Sequence, residues 1–338
     1  MDKTINTPVV TVFMAVFNGE AYIAESIKSI LAQSFTDFEL LIVNDGSTDR
    51  TLGVIEQFND PRIRVLQNES NKGLAFTRNR GLREARGQYI AILDSDDIAL
   101  PERLEVQVDF MNAHLKIAIC GGQAFLIDTS GRQTGALNVP SGTRNMAQHL
   151  VLHNILINST LMIRTSAMKE VGGYRDLAPA EDYDLSFRIS LKHEIANLDR
   201  ILIAYRVHEH NTSGLQSDKV GLSEKKIIRD IHTSLKISTN DALVILHHDL
   251  MRFYLNSRSS VEFCHILELL KKGNMMTKTY PVQLFNQMLF KKWFIILRDK
   301  KEKKILSLYF RNDLFQWSFI TFKELRKVFK QALFRNLF

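Results

Sequence analysis

The sequence reads as an α/β fold, with a mostly parallel sheet flanked by helices and a helical, basic region at its C-terminal end. Three observations carry this reading. Short apolar runs alternate with segments of helical period through roughly the first hundred residues, the signature of βαβ units. Two acidic loops, Asp45–Asp49 and Asp94–Asp97, each follow an apolar run directly. Both therefore fall at the carboxyl edge of the sheet, where open α/β sheets bind ligands. From Leu215 onward Gly and Pro become sparse and the pattern turns helical.

The elements follow in order. Val9 to Phe17 is a β-branched, apolar run and reads as a buried strand. Asn18-Gly19-Glu20 opens a helix whose apolar residues Ile23, Ile27, Ile30 and Leu31 share one face. Glu39 to Val43 is a second strand, and Ser47, Thr48 or Asp49 can cap a helix over about 50–58. Arg62 to Leu66 is a third strand, Leu74 to Ala85 a helix and Tyr89 to Leu93 a fourth strand. Pro101 is expected in the first turn of the next helix. Between Ile117 and Tyr205 shorter runs and turns, such as Asp128-Thr129-Ser130-Gly131, indicate a mixed continuation of the sheet with a hairpin.

Composition excludes several classes. Apolar residues make up 45% and charged residues 24% of the 338, enough to build a core, so disorder is not the main state. Cys120 and Cys264 are too few and too far apart for a zinc ligand set or a disulfide framework. They read as small apolar residues in a reducing compartment. The N-terminus shows no signal-peptide pattern and no stretch is apolar enough to span a bilayer, so a cytoplasmic chain is expected. The net charge of +7 is unevenly placed: residues 275–338 carry 14 Lys and Arg against 4 Asp and Glu, and 14 of the 31 aromatics. A general nucleic-acid binder, basic throughout, is therefore not expected.

Several loops carry residue types suited to chemistry. Asp94, Asp96 and Asp97 crowd three carboxylates into four residues, and a divalent cation would offset their repulsion; an acidic turn before a helix is the alternative. Asp45 could accept a hydrogen bond from a base or ribose, or else make an Asx turn with Ser47. Asn71-Lys72-Gly73-Leu74 and Arg78 bring a helix N-terminus and a guanidinium suited to a diphosphate; a glycine turn with solvated charges competes. Glu181-Asp182 lies at a helix start, where acidic capping is the plainer reading. The Arg and His residues of Tyr205–Asn211 are as well suited to the surface as to a site.

Taken together these pieces are similar to a known family. VTVFMAVFNGEAYIAESIKSILAQSFTDFELLIVNDGSTD, NKGLAFTRNRGL and GQYIAILDSDDIALPERL, in that order, closely resemble the inverting glycosyltransferases of family 2, with the GT-A (Rossmann-like) fold. EDYDLSFRI and YRVHEHNTS resemble later elements, so the likeness runs over about residues 8–213. The resemblance implies transfer of a sugar from a nucleotide-sugar, usually UDP-linked, and a Mn²⁺ or Mg²⁺ ion. It assigns Asp45 to the nucleobase, Asp94 to the ribose and Asp96 to the metal, with support from Asp97. Asp182 would be the general base. Arg78 and His208 would assist at the diphosphate and metal. Ala15, Phe17 and Asn44 depart from the family's usual Pro, Tyr and Asp, which bears on the choice of nucleotide.

The expected organisation is a catalytic domain over 1–214, with nucleotide-sugar binding in 1–115 and the acceptor side in 116–214, then a helical region over 215–338. In that region Phe315, Phe319, Phe322, Leu325, Phe329 and Leu333 form an apolar stripe flanked by Lys323, Arg326, Lys327 and Lys330. Such a helix suits an anionic membrane surface, placing the enzyme at a saccharide or lipid-linked acceptor in polysaccharide or oligosaccharide assembly; a helix packed on the body is the alternative. Three other functions compete with this reading. A Rossmann redox enzyme would need a G-x-G-x-x-G turn, which Asn18-Gly19-Glu20-Ala21-Tyr22 is not. A sugar nucleotidyltransferase and a non-catalytic membrane-docking module are the other two.

Overall fold

The computed structural model describes residues 7–209, 217–310 and 312–335. It divides into two compact units, Met1–Ala147 with Asn154–Ser223, and Gln148–His153 with Glu224–Phe338.

The first unit is built on one sheet, of nine strands among the described residues. Its first half alternates β1 (Val10–Val16), α1 (Ile23–Leu31), β2 (Phe38–Asn44), α2 (Thr51–Ile55), β3 (Ile63–Gln67), α3 (Leu74–Glu84) and β4 (Tyr89–Ile92). The order β3-β2-β1-β4 is parallel throughout. β1 and β2 are apolar on both faces because helices cover both: Val12, Met14, Leu40 and Ile42 join Ile23, Ile27 and Ile30 in one core. On the other face, a Cβ at Gly81 of α3 would stand 2.0 Å from the Phe13 ring. Only hydrogen fits there, so this glycine sets how closely α3 approaches β1.

The second half is mixed. β5 (Ile98–Ala99), α4 (Arg103–Ala113), β6 (Ile117–Ile127), β7 (Gln133–Leu137), β8 (Met162–Arg164), α5 (Thr165–Glu170), α6 (Glu181–Ser190) and β9 (Glu194–Arg206) follow. The sheet continues from β4 through β8, β6 and β9 to β5, and β7 makes the expected hairpin with β6. Pro101 does not sit in the first turn of α4. β5 pairs with β9, and Leu100 N donates to Leu202 O at 2.9 Å, so the chain stays extended and the helix begins only at Arg103. Cys120 is buried as expected, whereas Cys264 is half-buried.

The second unit is helical: α7 (Ser217–Ser234, whose first turns belong to the first unit), α8 (Asp241–Met251), α9 (Ser260–Thr277), α10 (Val282–Asp299), α11 (Ile305–Phe310) and α12 (Phe322–Arg335). Asn240 caps α8, and Ser259 with Glu262 forms a capping box on α9. Ile231, Phe263, Phe285, Phe290 and Trp293 are buried in its interior. No described helix is long and apolar enough to cross a membrane. The apolar stripe of the sequence is not one free face. Phe319 is buried and Phe315 and Leu325 are half-buried, while Phe329 and Phe322 are exposed, Phe322 at 83%. Part of the stripe is therefore packed within the helical unit; the Leu333 side chain lies outside the described residues.

Two glycines should respond oppositely to substitution. Gly81→Val should lower stability by ~1–3 kcal/mol, because the Phe13 ring must move. Gly53→Ala, with nothing within 4 Å of the added methyl, should raise it by ~0.4–1 kcal/mol by restricting the unfolded chain. Urea midpoints of the two variants check both signs.

Candidate active site

The loops at the carboxyl ends of β1 and β2 are tied to each other. Asn18, at φ 52°, donates its backbone N–H to Ser47 Oγ at 2.9 Å, and its side-chain oxygen accepts from Thr48 N at 2.9 Å. The Asx turn after β2 is made by Asn44, whose Oδ1 accepts from Ser47 N at 3.1 Å, and not by Asp45. The Asp45 carboxylate is buried and turns to the next loop. It accepts from Asn68 Nδ2 at 2.6 Å, Lys72 N at 2.9 Å and Gly73 N at 3.0 Å. Gly73, at φ 89°, is the residue before α3, so Asp45 braces the loop that leads into the helix N-terminus the sequence offered to a diphosphate. Three of roughly four acceptor positions on this carboxylate are filled.

The Asp94–Asp97 loop separates its three carboxylates by direction. The Asp94 side chain is 37% exposed. It accepts from Asn158 Nδ2 at 3.0 Å, Ser159 Oγ at 2.9 Å and Arg78 Nη2 at 3.3 Å. Asp96 also reaches the surface, where His208 Nε2 donates to its Oδ2 at 2.9 Å. Burial and the neighbouring Asp94 push its carboxyl above the ordinary carboxylate range, against the opposing pull of His208. Asp97 points inward, 1% exposed, and its Oδ1 accepts from Arg206 N at 2.8 Å. Burial, then Asp96 and Asp94, raise its carboxyl well above the usual value. It underpins the turn and presents no oxygen at the surface.

Arg206 is not a surface residue. It is 1% exposed, and its guanidinium donates to Asp96 O at 2.9 Å and Glu25 Oε2 at 2.6 Å while lying over the Tyr22 ring at 4.6 Å. The Tyr22 ring is 5.2 Å from that of His208. Arg206 thus holds the Asp96 backbone and, as the last residue of β9, brings His208 to Asp96. His210 and Asn211 lie outside the described residues. Behind the loop Arg103 is fully buried and donates to Ile92 O at 2.7 Å; burial pushes its guanidinium down to about 10 despite Asp97 and Asp94.

Glu181-Asp182 begins α6, as the sequence indicated, but does more than cap it. Arg78, 5% exposed, donates Nη1 to Glu181 Oε1 and Nη2 to Asp94 Oδ1, so one buried guanidinium joins the start of α6 to the acidic loop. Burial opposes its charge, but Glu181 and Asp94 hold it above the ordinary arginine value. Asp182 is half-buried, and Asn154 Nδ2 donates to its Oδ2 at 3.4 Å. Its carboxyl is pushed up to about 7, first by burial and then by Glu181, with Arg78 pulling the other way. Asp184, fully buried, is held by Arg175 and Arg188 and fixes the next turn of the helix.

The donor chemistry at Asp96 and His208 fits a cation. Two ligands each about 2.1 Å from an octahedral ion lie about 3 Å apart, close to the 2.9 Å between Asp96 Oδ2 and His208 Nε2; the ion would replace the proton they share. No group of three or more His, Cys, Asp or Glu among the described residues is placed to hold a metal. A cation here would therefore need oxygens from a ligand, as Mg²⁺ and Mn²⁺ commonly take from phosphates.

Sequence reasoning missed Asn158, Ser159, Arg103 and the burial of Arg206. Asn158 and Ser159 were legible only as polar interruptions of an otherwise apolar stretch.

Comparison with known proteins places the chain. The Glycosyl transferase family 2 model matches residues 11–172. An uncharacterized glycosyltransferase of Haemophilus influenzae is 29% identical over 265 residues, covering 72% of this chain and 81% of that protein. An uncharacterized glycosyltransferase of Methanocaldococcus jannaschii is 32% identical over 213 residues, covering 61% of this chain and 72% of the relative. In structure, S. aureus TarS 1-349 in complex with UDP-GlcNAc superposes with a TM-score of 0.58 at 19% identity, covering 96% of this chain and 89% of that one. That likeness shows a shared fold, the GT-A fold. With the matched segment spanning β1 to α5, and with a relative at this level of identity, the chain belongs to glycosyltransferase family 2.

Proposed function

We propose that this glycosyltransferase moves a hexosyl unit from a nucleotide-sugar, read as UDP-linked, to a hydroxyl of a saccharide or lipid-linked saccharide, with inversion at the anomeric carbon. The observation that carries the proposal is the Arg78 bridge. It holds an outward acidic loop suited to a diphosphate beside a helix start whose Asp182 carboxyl lies at about 7.

Each residue then has a role. Asp182 accepts the proton of the acceptor hydroxyl as that oxygen attacks. A carboxyl near neutrality suits a general base, because it is ionised at working pH and still basic enough to take the proton. Asp94, oriented by Asn158, Ser159 and Arg78, faces the ribose. Asp45 orders the loop beneath the nucleobase through Lys72 and Gly73 and keeps one acceptor position for a base N–H. Asp96 and His208 hold the Mn²⁺ or Mg²⁺ ion, and Asp97 and Arg206 fix the Asp96 backbone. When bound, the ion offsets charge on the departing diphosphate. TarS, solved with UDP-GlcNAc, supports the reading of the donor. The wider setting is polysaccharide or lipid-linked oligosaccharide assembly at the cytoplasmic face of a membrane, with the basic C-terminal region meeting an anionic surface.

Three outcomes test this. Asp182→Asn should keep donor binding and lose sugar transfer by about 10²–10⁴-fold; equal losses in donor affinity and turnover would reassign it to the donor side. Because the Asp182 carboxyl is raised, its basic form is lost as pH falls. In the wild type kcat/KM should rise with pH through a limb near 7, and this limb should be absent from the residual activity of the variant. Asp96→Asn should lose most of the Mn²⁺-dependent gain in melting temperature with UDP while the ligand-free protein melts unchanged; a full gain in the variant would remove Asp96 from the metal site.

A further inference from the structure

We propose that Trp317, Phe322 and Phe329, with the basic arc of α12, form a docking surface for an anionic lipid bilayer. The proposal rests on the reading of the C-terminal region as membrane-facing. It keeps Phe322 and Phe329 of the apolar stripe, drops its packed members and adds Trp317.

α12 has two unlike faces. Val328 and Ala332 are buried, Leu325 is half-buried and Gln331 Nε2 donates to Leu297 O at 3.3 Å, so this face is packed. At 100° per residue the opposite arc carries Phe322, Arg326 and Lys330, with Lys323 and Lys327 on one flank and Phe329 on the other. All six are exposed, Phe322 at 83% and Phe329 at 45%. The one acid in the first turn, Glu324, is directed back: its carboxylate accepts from Thr321 N at 3.0 Å and Thr321 Oγ1 at 2.8 Å. That capping box fixes the helix start and keeps the carboxylate out of the basic arc.

Trp317, just before the helix, is 74% exposed. Its ring meets Phe315 edge-on at 5.2 Å and Phe310 at 6.0 Å, so the indole is braced in water by its own aromatic base. Large exposed aromatics on, or a few residues before, a helix with a one-signed charge arc mark an interaction surface. A bilayer supplies both complements, since Trp and Phe enter the headgroup boundary while Lys and Arg meet anionic headgroups. A second copy of the chain does not. A two-fold interface through this face would set like basic arcs against each other.

The test uses the full chain and vesicles of phosphatidylcholine with and without phosphatidylglycerol, at low and high salt. Wild type should sediment with the anionic vesicles, less so as salt rises. Replacing Lys323, Arg326, Lys327 and Lys330 by Gln should weaken binding by about 10³-fold. Replacing Trp317, Phe322 and Phe329 by Ser should weaken it at both salt levels. The substituted side chains are exposed, so unchanged circular dichroism melts are expected. If wild type ignores anionic vesicles or binds neutral ones equally, the proposal fails. It fails also if wild type sediments as a dimer that the aromatic variant dissolves. Both variants should retain transfer to a water-soluble acceptor. Absence of transfer by wild type, with vesicle binding as expected, would count against the proposed reaction and leave the docking surface standing.

Discussion

A single buried arginine organises the site. Arg78 has almost no contact with water, so its charge must be met within the protein. Glu181 and Asp94 meet it from two elements distant in sequence, the start of α6 and the loop after β4. A guanidinium can do this because its nitrogens fork in fixed directions. Breaking such a pair from one side leaves an uncompensated buried charge, typically ~3–5 kcal/mol. The same arginine tempers the rise of the Asp182 carboxyl, which burial and Glu181 drive upward. The geometry of the acidic loop and the acidity of the proposed base therefore share one positive charge.

The acidic loop shows how three neighbouring carboxylates coexist. Each is met differently: Asp94 by hydrogen-bond donors, Asp96 by an imidazole and Asp97 by burial with a backbone N–H. Only Asp96 pairs with a side chain that could itself become a metal ligand. That asymmetry supports Asp96 as the proposed cation position and Asp94 as the proposed ribose contact. Arg206 completes the arrangement by fixing the Asp96 carbonyl and delivering His208 from the end of β9.

The helical unit follows a different logic. Its interior is mainly aromatic and aliphatic, with Phe285, Phe290 and Trp293 buried, and most of its charge lies outside. α12 uses one side for packing and leaves the other to solvent. The basic excess of the chain is therefore a property of a surface, while the first unit keeps its own charges paired across loops.

The sequence by itself determined the local elements: the apolar strands, the amphipathic helices, the hairpin and the placement of both acidic loops after strands. These depend on periodicities of two and 3.6 residues and on turn chemistry within a few positions, and the family resemblance rests on the same local runs. Tertiary structure alone decided which carboxylates face outward, because Asp96 and Asp97 are adjacent in sequence and opposite in burial. It decided the partner of Arg78, which lies 103 residues away, and it recruited Asn158 and Ser159 from a stretch legible only as too polar for a membrane. It also split the C-terminal stripe, since spacing shows that Phe322 and Leu325 lie on one helix but not which of them is covered. In each case the missing information was a contact between residues distant in the chain, which no local pattern encodes.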